Sequence, residues 1–107
     1  MKTKFVTIFV TCGSKKEAKR IANSLLKKRL VACANIVSVV ESQFWWKNKL
    51  DRTTEVLVTL KTKLKNFRTI EKDIKRIHSY EVPEIIAIPI LAGNREYLEW
   101  IDSIVSE

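Results

Sequence analysis

The apolar positions of this chain switch repeatedly between strand-like and helix-like spacing. Residues 4–12, Lys-Phe-Val-Thr-Ile-Phe-Val-Thr-Cys, are β-branched and aromatic and nearly continuous in apolarity. That pattern predicts a strand buried in the middle of a sheet. Gly13 ends it, and Ser14-Lys15-Lys16-Glu17 reads as a capping box, in which the Ser hydroxyl and Glu carboxylate each satisfy a free backbone N–H. Ala18, Ile21, Ala22, Leu25 and Leu26 follow at helical spacing, and Leu30 continues the stripe. A helix of about four turns is expected, with Lys27, Lys28 and Arg29 at its end, where the helix dipole favours cations. Residues 31–46 are again extended but long for one regular strand. Their alternation slips near Ser38, which predicts a bend or bulge. Lys47-Asn48-Lys49 is a tight connection, because Asn tolerates positive φ. Residues 50–61 return as a third strand, with Val56, Val58 and Leu60 on one face, completing a long hairpin. Leu64, Phe67, Ile70, Ile74 and Ile77 mark a second helix, and residues 85–91 a fourth strand. Pro89 lies inside that strand and argues for a sheet edge. After Gly93-Asn94, Tyr97, Leu98, Trp100, Ile101 and Ile104 make residues 95–105 a short terminal helix.

The order βαββαβ plus a helix is the ferredoxin-like, α+β split arrangement, and 107 residues make it one domain. Right-handed crossovers put both main helices on one face of the sheet. The first and third strands become central, the second and fourth become edges. The other sheet face then lacks a cover. A bare apolar face with a hairpin longer than the domain makes a poor monomer, so a closed homo-oligomer is expected.

Composition adds limits. A hydrophobic fraction of 46% and a charged fraction of 30% suit a globular chain. No apolar run approaches the roughly 20 residues of a membrane span. Met1-Lys2-Thr3-Lys4 lacks the pattern of a signal peptide, so a cytoplasmic protein is expected. Cys12 and Cys33 form neither a CxxC nor a zinc-type spacing, and in a reducing compartment both are expected as free thiols. The net charge of +8 is concentrated: stretches 15–30 and 63–77 together carry +10, and the rest −2. With no aromatic residues interleaved except Phe67, a core position, a solvated lysine-rich face is the better reading than a nucleic-acid site.

The stretch with most chemistry is His78-Ser79-Tyr80-Glu81-Val82-Pro83-Glu84, running into Ile85 through Ile90. It holds the only His, one of two Tyr, both Pro within reach and two carboxylates at a helix-to-strand junction. Pro83 pushes Val82 away from helical geometry, so the chain turns there. No Gly-rich phosphate loop and no nucleophile–His–acid set at recognisable spacing is present, which argues against an enzyme.

Several stretches together resemble the CutA divalent-cation-tolerance family across nearly the whole chain. They are Val10-Thr11-Cys12, Arg29-Leu30-Val31-Ala32-Cys33-Ala34-Asn35-Ile36, Trp46, Leu60-Lys61-Thr62, His78 through Pro89, Gly93-Asn94 and Tyr97-Leu98-Glu99-Trp100. The resemblance implies a homotrimer similar in architecture to the nitrogen-regulatory PII signalling proteins, with sheets packed around a three-fold axis and hairpins reaching onto neighbours. Two departures stand out. The family's Trp-Glu-Gly-Lys hairpin tip is here Trp46-Lys47-Asn48-Lys49, and its His-Pro-Tyr is here His78-Ser79-Tyr80. The resemblance also implies copper or another divalent cation as ligand at an intersubunit cleft, not required for folding, with Cys12, His78 and Glu84 as the matching donors. Thiolate with imidazole selects copper over hard ions. Each has a competing structural role: His78 as an orienting hydrogen-bond donor, Cys12 and above all Cys33 as small buried hydrophobes, Glu84 as an acceptor for backbone N–H groups. A second reading is a sensor or scaffold whose subunit-interface pocket, lined by Trp46, Lys61 and Tyr80 with His78 and Glu84, holds a small anion or metabolite.

Overall fold

The computed structural model describes residues 4–105. Met1, Lys2 and Thr3, part of the segment read above for a signal peptide, lie outside the described residues. The elements are β1 (Phe5–Cys12), α1 (Lys15–Lys27), β2 (Cys33–Trp46), β3 (Lys49–Lys63), α2 (Phe67–Ile77, entered through a 3₁₀ turn, Leu64–Asn66), β4 (Ile85–Pro89) and α3 (Arg95–Ile104). The sheet order is β2-β3-β1-β4, all neighbours antiparallel. As expected, β1 and β3 are central and Pro89 sits on an edge strand.

Strict alternation governs β1. Val6, Ile8, Val10 and Cys12 are buried, and Phe5, Thr7, Phe9 and Thr11 are only half-buried. The apparent continuity of the run therefore comes from a sheet with one fully covered face. On that face Ile21 and Leu25 of α1 and Ile70 and Ile74 of α2 close over Val58 and Leu60 of β3. Each fully buried Ile or Leu contributes roughly 1.5–3 kcal/mol. Leu64 belongs to the 3₁₀ turn and is exposed, so it is not part of the α2 stripe. The fourth strand is shorter than expected, ending at Pro89, and Leu91 is exposed. α3 lies on the opposite sheet face, where Ile101 and Val105 pack with Ala32 and Phe5. It covers one end only, leaving Phe9 and Leu57 half-buried and Val37, Ile86 and Ile88 exposed on that face. Tyr97 and Trp100 stay partly exposed, with their ring centroids 5.5 Å apart.

The junctions follow local chemistry. Ser14 caps α1, accepting from Glu17 N at 3.1 Å. At its other end Leu30 N–H bonds to Leu25 O and Arg29 N–H to Leu26 O, a Schellman motif with Arg29 at φ 56 in the place usually taken by glycine. The hairpin closes through Lys47 (φ 51) and Asn48 (φ 65), two positive φ values as a two-residue primed turn requires. The irregularity expected near Ser38 is a β-bulge. Register runs Val37↔Leu57 and resumes at Val40↔Glu55, so Ser38 and Val39 together face Val56. Val39 has φ 69, an unfavourable value for a β-branched residue.

Candidate metal centre

His78 follows the last turn of α2, and its amide N–H donates to Ile74 O at 2.8 Å. Its side chain is fully buried beneath the end of β1. Nε2 lies 2.8 Å from Thr11 O. A backbone carbonyl only accepts, so Nε2 carries the hydrogen and the ring's one lone pair is on Nδ1. That lone pair accepts from the Tyr80 backbone N–H at 3.1 Å. The expected orienting role of His78 is therefore what its hydrogen bonds describe: it ties the end of β1 to the loop before β4.

Cys12, the last residue of β1, is wholly buried beside it. Burial pushes the thiol up to about 12, with the Glu17 and Glu55 carboxylates adding to the effect. Glu17 completes the group. It departs from the capping-box expectation, because its carboxylate turns away from Ser14. Oε2 accepts from the Ser79 backbone N–H at 2.9 Å. Oε1 is buried, has no hydrogen-bond partner among the described residues and stands 3.7 Å from His78 Nδ1. The donor atoms of Cys12, Glu17 and His78 lie within 4.8 Å of one another.

Tyr80 carries the network outward. Its hydroxyl donates to Glu55 Oε2 at 2.7 Å, its ring lies 4.7 Å from that of His78, and it packs close to Gly13, where a Cβ would meet Tyr80 Oη at 3.4 Å. Burial and the bond to Glu55 raise the phenol above its usual range. Beyond Tyr80 opens a cavity of about 820 Å³ between the hairpin and the loop that includes Glu81, Val82 and Glu84. Among the described residues five carboxylates line it, from Glu41, Asp51, Glu55, Glu81 and Glu84, together with Phe44, Trp46 and Tyr80, and no Lys or Arg does.

The structure thus sorts the residues expected from the sequence. Cys12 and His78 meet. Glu84 does not join them; it is exposed on the cleft wall, and Glu17 takes the third position. Trp46 and Tyr80 share the cleft. Lys61 does not line it: it bonds to Asn35 and Thr59 across β2 and β3 and pairs in register with Cys33. Cys33 itself is half-buried, not a core residue, because it lies on the sheet face that α3 covers only at one end. Glu17 was missed as a site residue. The signal for it was its isolation, one acid among seven cations in residues 15–30.

Against known proteins, the family model described as CutA1 divalent ion tolerance protein matches residues 6–104. The divalent-cation tolerance protein CutA of Archaeoglobus fulgidus is 44% identical over 98 residues, covering 92% of this chain and 95% of that protein. The chloroplastic protein CutA 1 of Oryza sativa is 38% identical over 102 residues, and the match spans 95% of this chain but 58% of the rice protein. The solved structure of the periplasmic divalent cation tolerance protein CutA from Archaeoglobus fulgidus superposes with a TM-score of 0.92 at 42% identity, covering 95% of this chain and 99% of that one.

Proposed function

The chain belongs to the CutA1 divalent ion tolerance family, and from that premise we propose that it is a non-enzymatic homotrimer that binds a divalent cation, copper foremost, at Cys12, Glu17 and His78. The observation that carries this reading is the orphaned Glu17 Oε1, buried and aimed at His78 beside the Cys12 thiol. A buried carboxylate oxygen without a partner is costly, and a cation is what would satisfy it. The donor set fits: thiol and imidazole suit a soft or borderline ion, and the carboxylate adds charge. When bound, the ion would supply a Lewis-acidic, positively charged centre at this spot. The residues supply the rest. Cys12 must release its proton to ligate, so binding liberates protons and strengthens as pH rises. Thr11 O fixes the imidazole so that Nδ1 faces the cluster.

Trimer formation is supported by the half-covered outer sheet face, with Val37, Ile86 and Ile88 exposed on it. A trimer packed there would cover those side chains and leave α1 and α2 outward. Cys12 and Cys33 are unpaired, which suits the reducing cytoplasm in which we place the protein. The alternative, a sensor or scaffold for a small anion, draws less support, because among the described residues five carboxylates and no cation line this chain's own cleft.

Titration calorimetry with copper and zinc on tag-free protein, beside His78→Ala and Glu17→Gln, tests the reading, with mass measured on the same samples. Saturable binding weakened tenfold or more in both variants, in an intact trimer, is expected. Equal weak binding in all three proteins would remove the site, and a monomeric mass would remove the trimer.

A further inference from the structure

We propose that ion occupancy of this cluster is read out by the loop that walls the acidic cleft, because His78 has one lone pair and two claimants for it. The inference rests on the metal-binding reading above and adds its consequence. Nε2 is committed as a donor to Thr11 O, so His78 can ligate only through Nδ1. In the present structure Nδ1 holds the Tyr80 backbone N–H at 3.1 Å. One lone pair makes one strong bond. Ligation through Nδ1 therefore releases the Tyr80 amide, and capture of that amide excludes ligation.

Glu17 ties the loop to the same cluster. Its Oε1 faces the cluster while its Oε2 holds the Ser79 N–H at 2.9 Å. Ligation by Glu17 thus draws on the same carboxylate that pins the next residue of the loop. Two consecutive amides, Ser79 and Tyr80, are fastened to the two side chains that would grip the ion. What lies downstream is the cleft wall: Tyr80, with its hydroxyl on Glu55, then Glu81, Val82 and Glu84. The loop is a two-position element at Tyr80, latched on His78 Nδ1 when that atom is free and released when it ligates, while Glu17 Oε2 keeps its hold on Ser79. The ring of Tyr80, 4.7 Å from that of His78, moves with it. The loop carries no other backbone bond to the sheet between His78 and Ile85 among the described residues.

Linkage makes the idea testable from both ends. If ligation unlatches the loop, loosening the loop must strengthen ligation by the same factor. Zinc is the probe, being redox-inert and diamagnetic. Hydrogen exchange on the isotopically labelled full chain should show the Tyr80 amide exchanging at least tenfold faster in saturating zinc, while amides of the β1–β3 ladder stay unchanged. Tyr80→Phe keeps the amide but removes the 2.7 Å anchor on Glu55. It should bind zinc about three- to tenfold more tightly than the natural chain, the worth of one such hydrogen bond. A merely structural Tyr80 would leave affinity unchanged or lower it. Zinc that binds, is lost in Glu17→Gln, and leaves both Tyr80 exchange and Tyr80→Phe affinity unaltered would overturn the latch while sparing the metal site. Absence of saturable zinc binding would overturn both.

Discussion

Two regions of this molecule put the same physics to opposite use. In the helical layer, where cations dominate, Asp73 of α2 is the buried acid. It accepts from Ser24 Oγ at 2.7 Å, Lys28 Nζ at 2.6 Å and an Arg76 guanidinium nitrogen at 2.9 Å. Burial works to raise its carboxyl, but these three donors outweigh it and bring the group down to about 2. At the end of β1, carboxylates dominate instead. There burial and the charges of Glu17 and Glu55 lift Cys12 to about 12 and Tyr80 above its usual range. A net charge of +8 describes neither place. What a group does depends on which charges the fold turns towards it. α1 and α2 turn their cations outward, while Glu17, the acid of α1, points inward to the loop.

The widest separation should appear in thiol chemistry. At pH 8, Cys12 is expected to react with iodoacetamide roughly a thousandfold more slowly than an unburied cysteine, since its thiolate is scarce. Mass-resolved labelling against the denatured chain checks this; fast labelling of Cys12 in the folded protein would break the contrast. Next comes Asp73→Ala, which leaves Lys28 and Arg76 without their acid and opens the α1–α2 seam. Both cations are half exposed and rehydrate, so a loss of about 2 kcal/mol in denaturant unfolding is expected. The linked pH effect has a definite sign. Because the folded carboxyl lies near 2 against 3.8 unperturbed, its contribution is complete above about pH 4 and declines as pH falls towards 2. Stability that stayed flat over that window would count against the arrangement. A third comparison sharpens the acidic side: Glu84→Gln should change zinc affinity less than threefold where Glu17→Gln costs tenfold or more, because Glu84 stands on the cleft wall apart from the cluster. Smallest of all is Arg68→Ala in the basic layer. Its pair with Glu71 is 85% exposed on the Arg side, and thermal unfolding should register less than 0.5 kcal/mol.

Much of this architecture was legible in the spacing of residues. Ser14, the slip near Ser38, Pro89 on an edge and the turn at Asn48 each announce a local event, and local events depend on neighbours in the chain. Glu17 shows where that kind of reading ends. Its place three residues after Ser14 suggests a cap, yet its carboxylate serves Ser79, more than 60 residues away. Nothing in local spacing states that the first turn of α1 faces the exit of α2. Lys61 makes the same point: its register partner Cys33 places it on the sheet face away from this chain's own hairpin cavity, which its position near the end of β3 does not disclose. Glu84 was close in chain to His78 and Tyr80, and Pro83 lies between, carrying it onto the wall instead of into the cluster. Side chains that meet across elements are fixed by register and helix rotation, which single residues do not disclose.

The bulge at Ser38 and Val39 has a consequence for how such a chain can change over time. Pairing on its body side, from Cys33↔Lys61 to Val37↔Leu57, and on its arm side, from Val40↔Glu55 to Trp46↔Lys49, runs in two separately phased ladders. Residues added to or removed from the arm in matched pairs keep the alternation of faces and stop being felt at the bulge. The arm is thus free to vary in reach, and with it the cleft it overhangs, while the buried body is inherited unaltered.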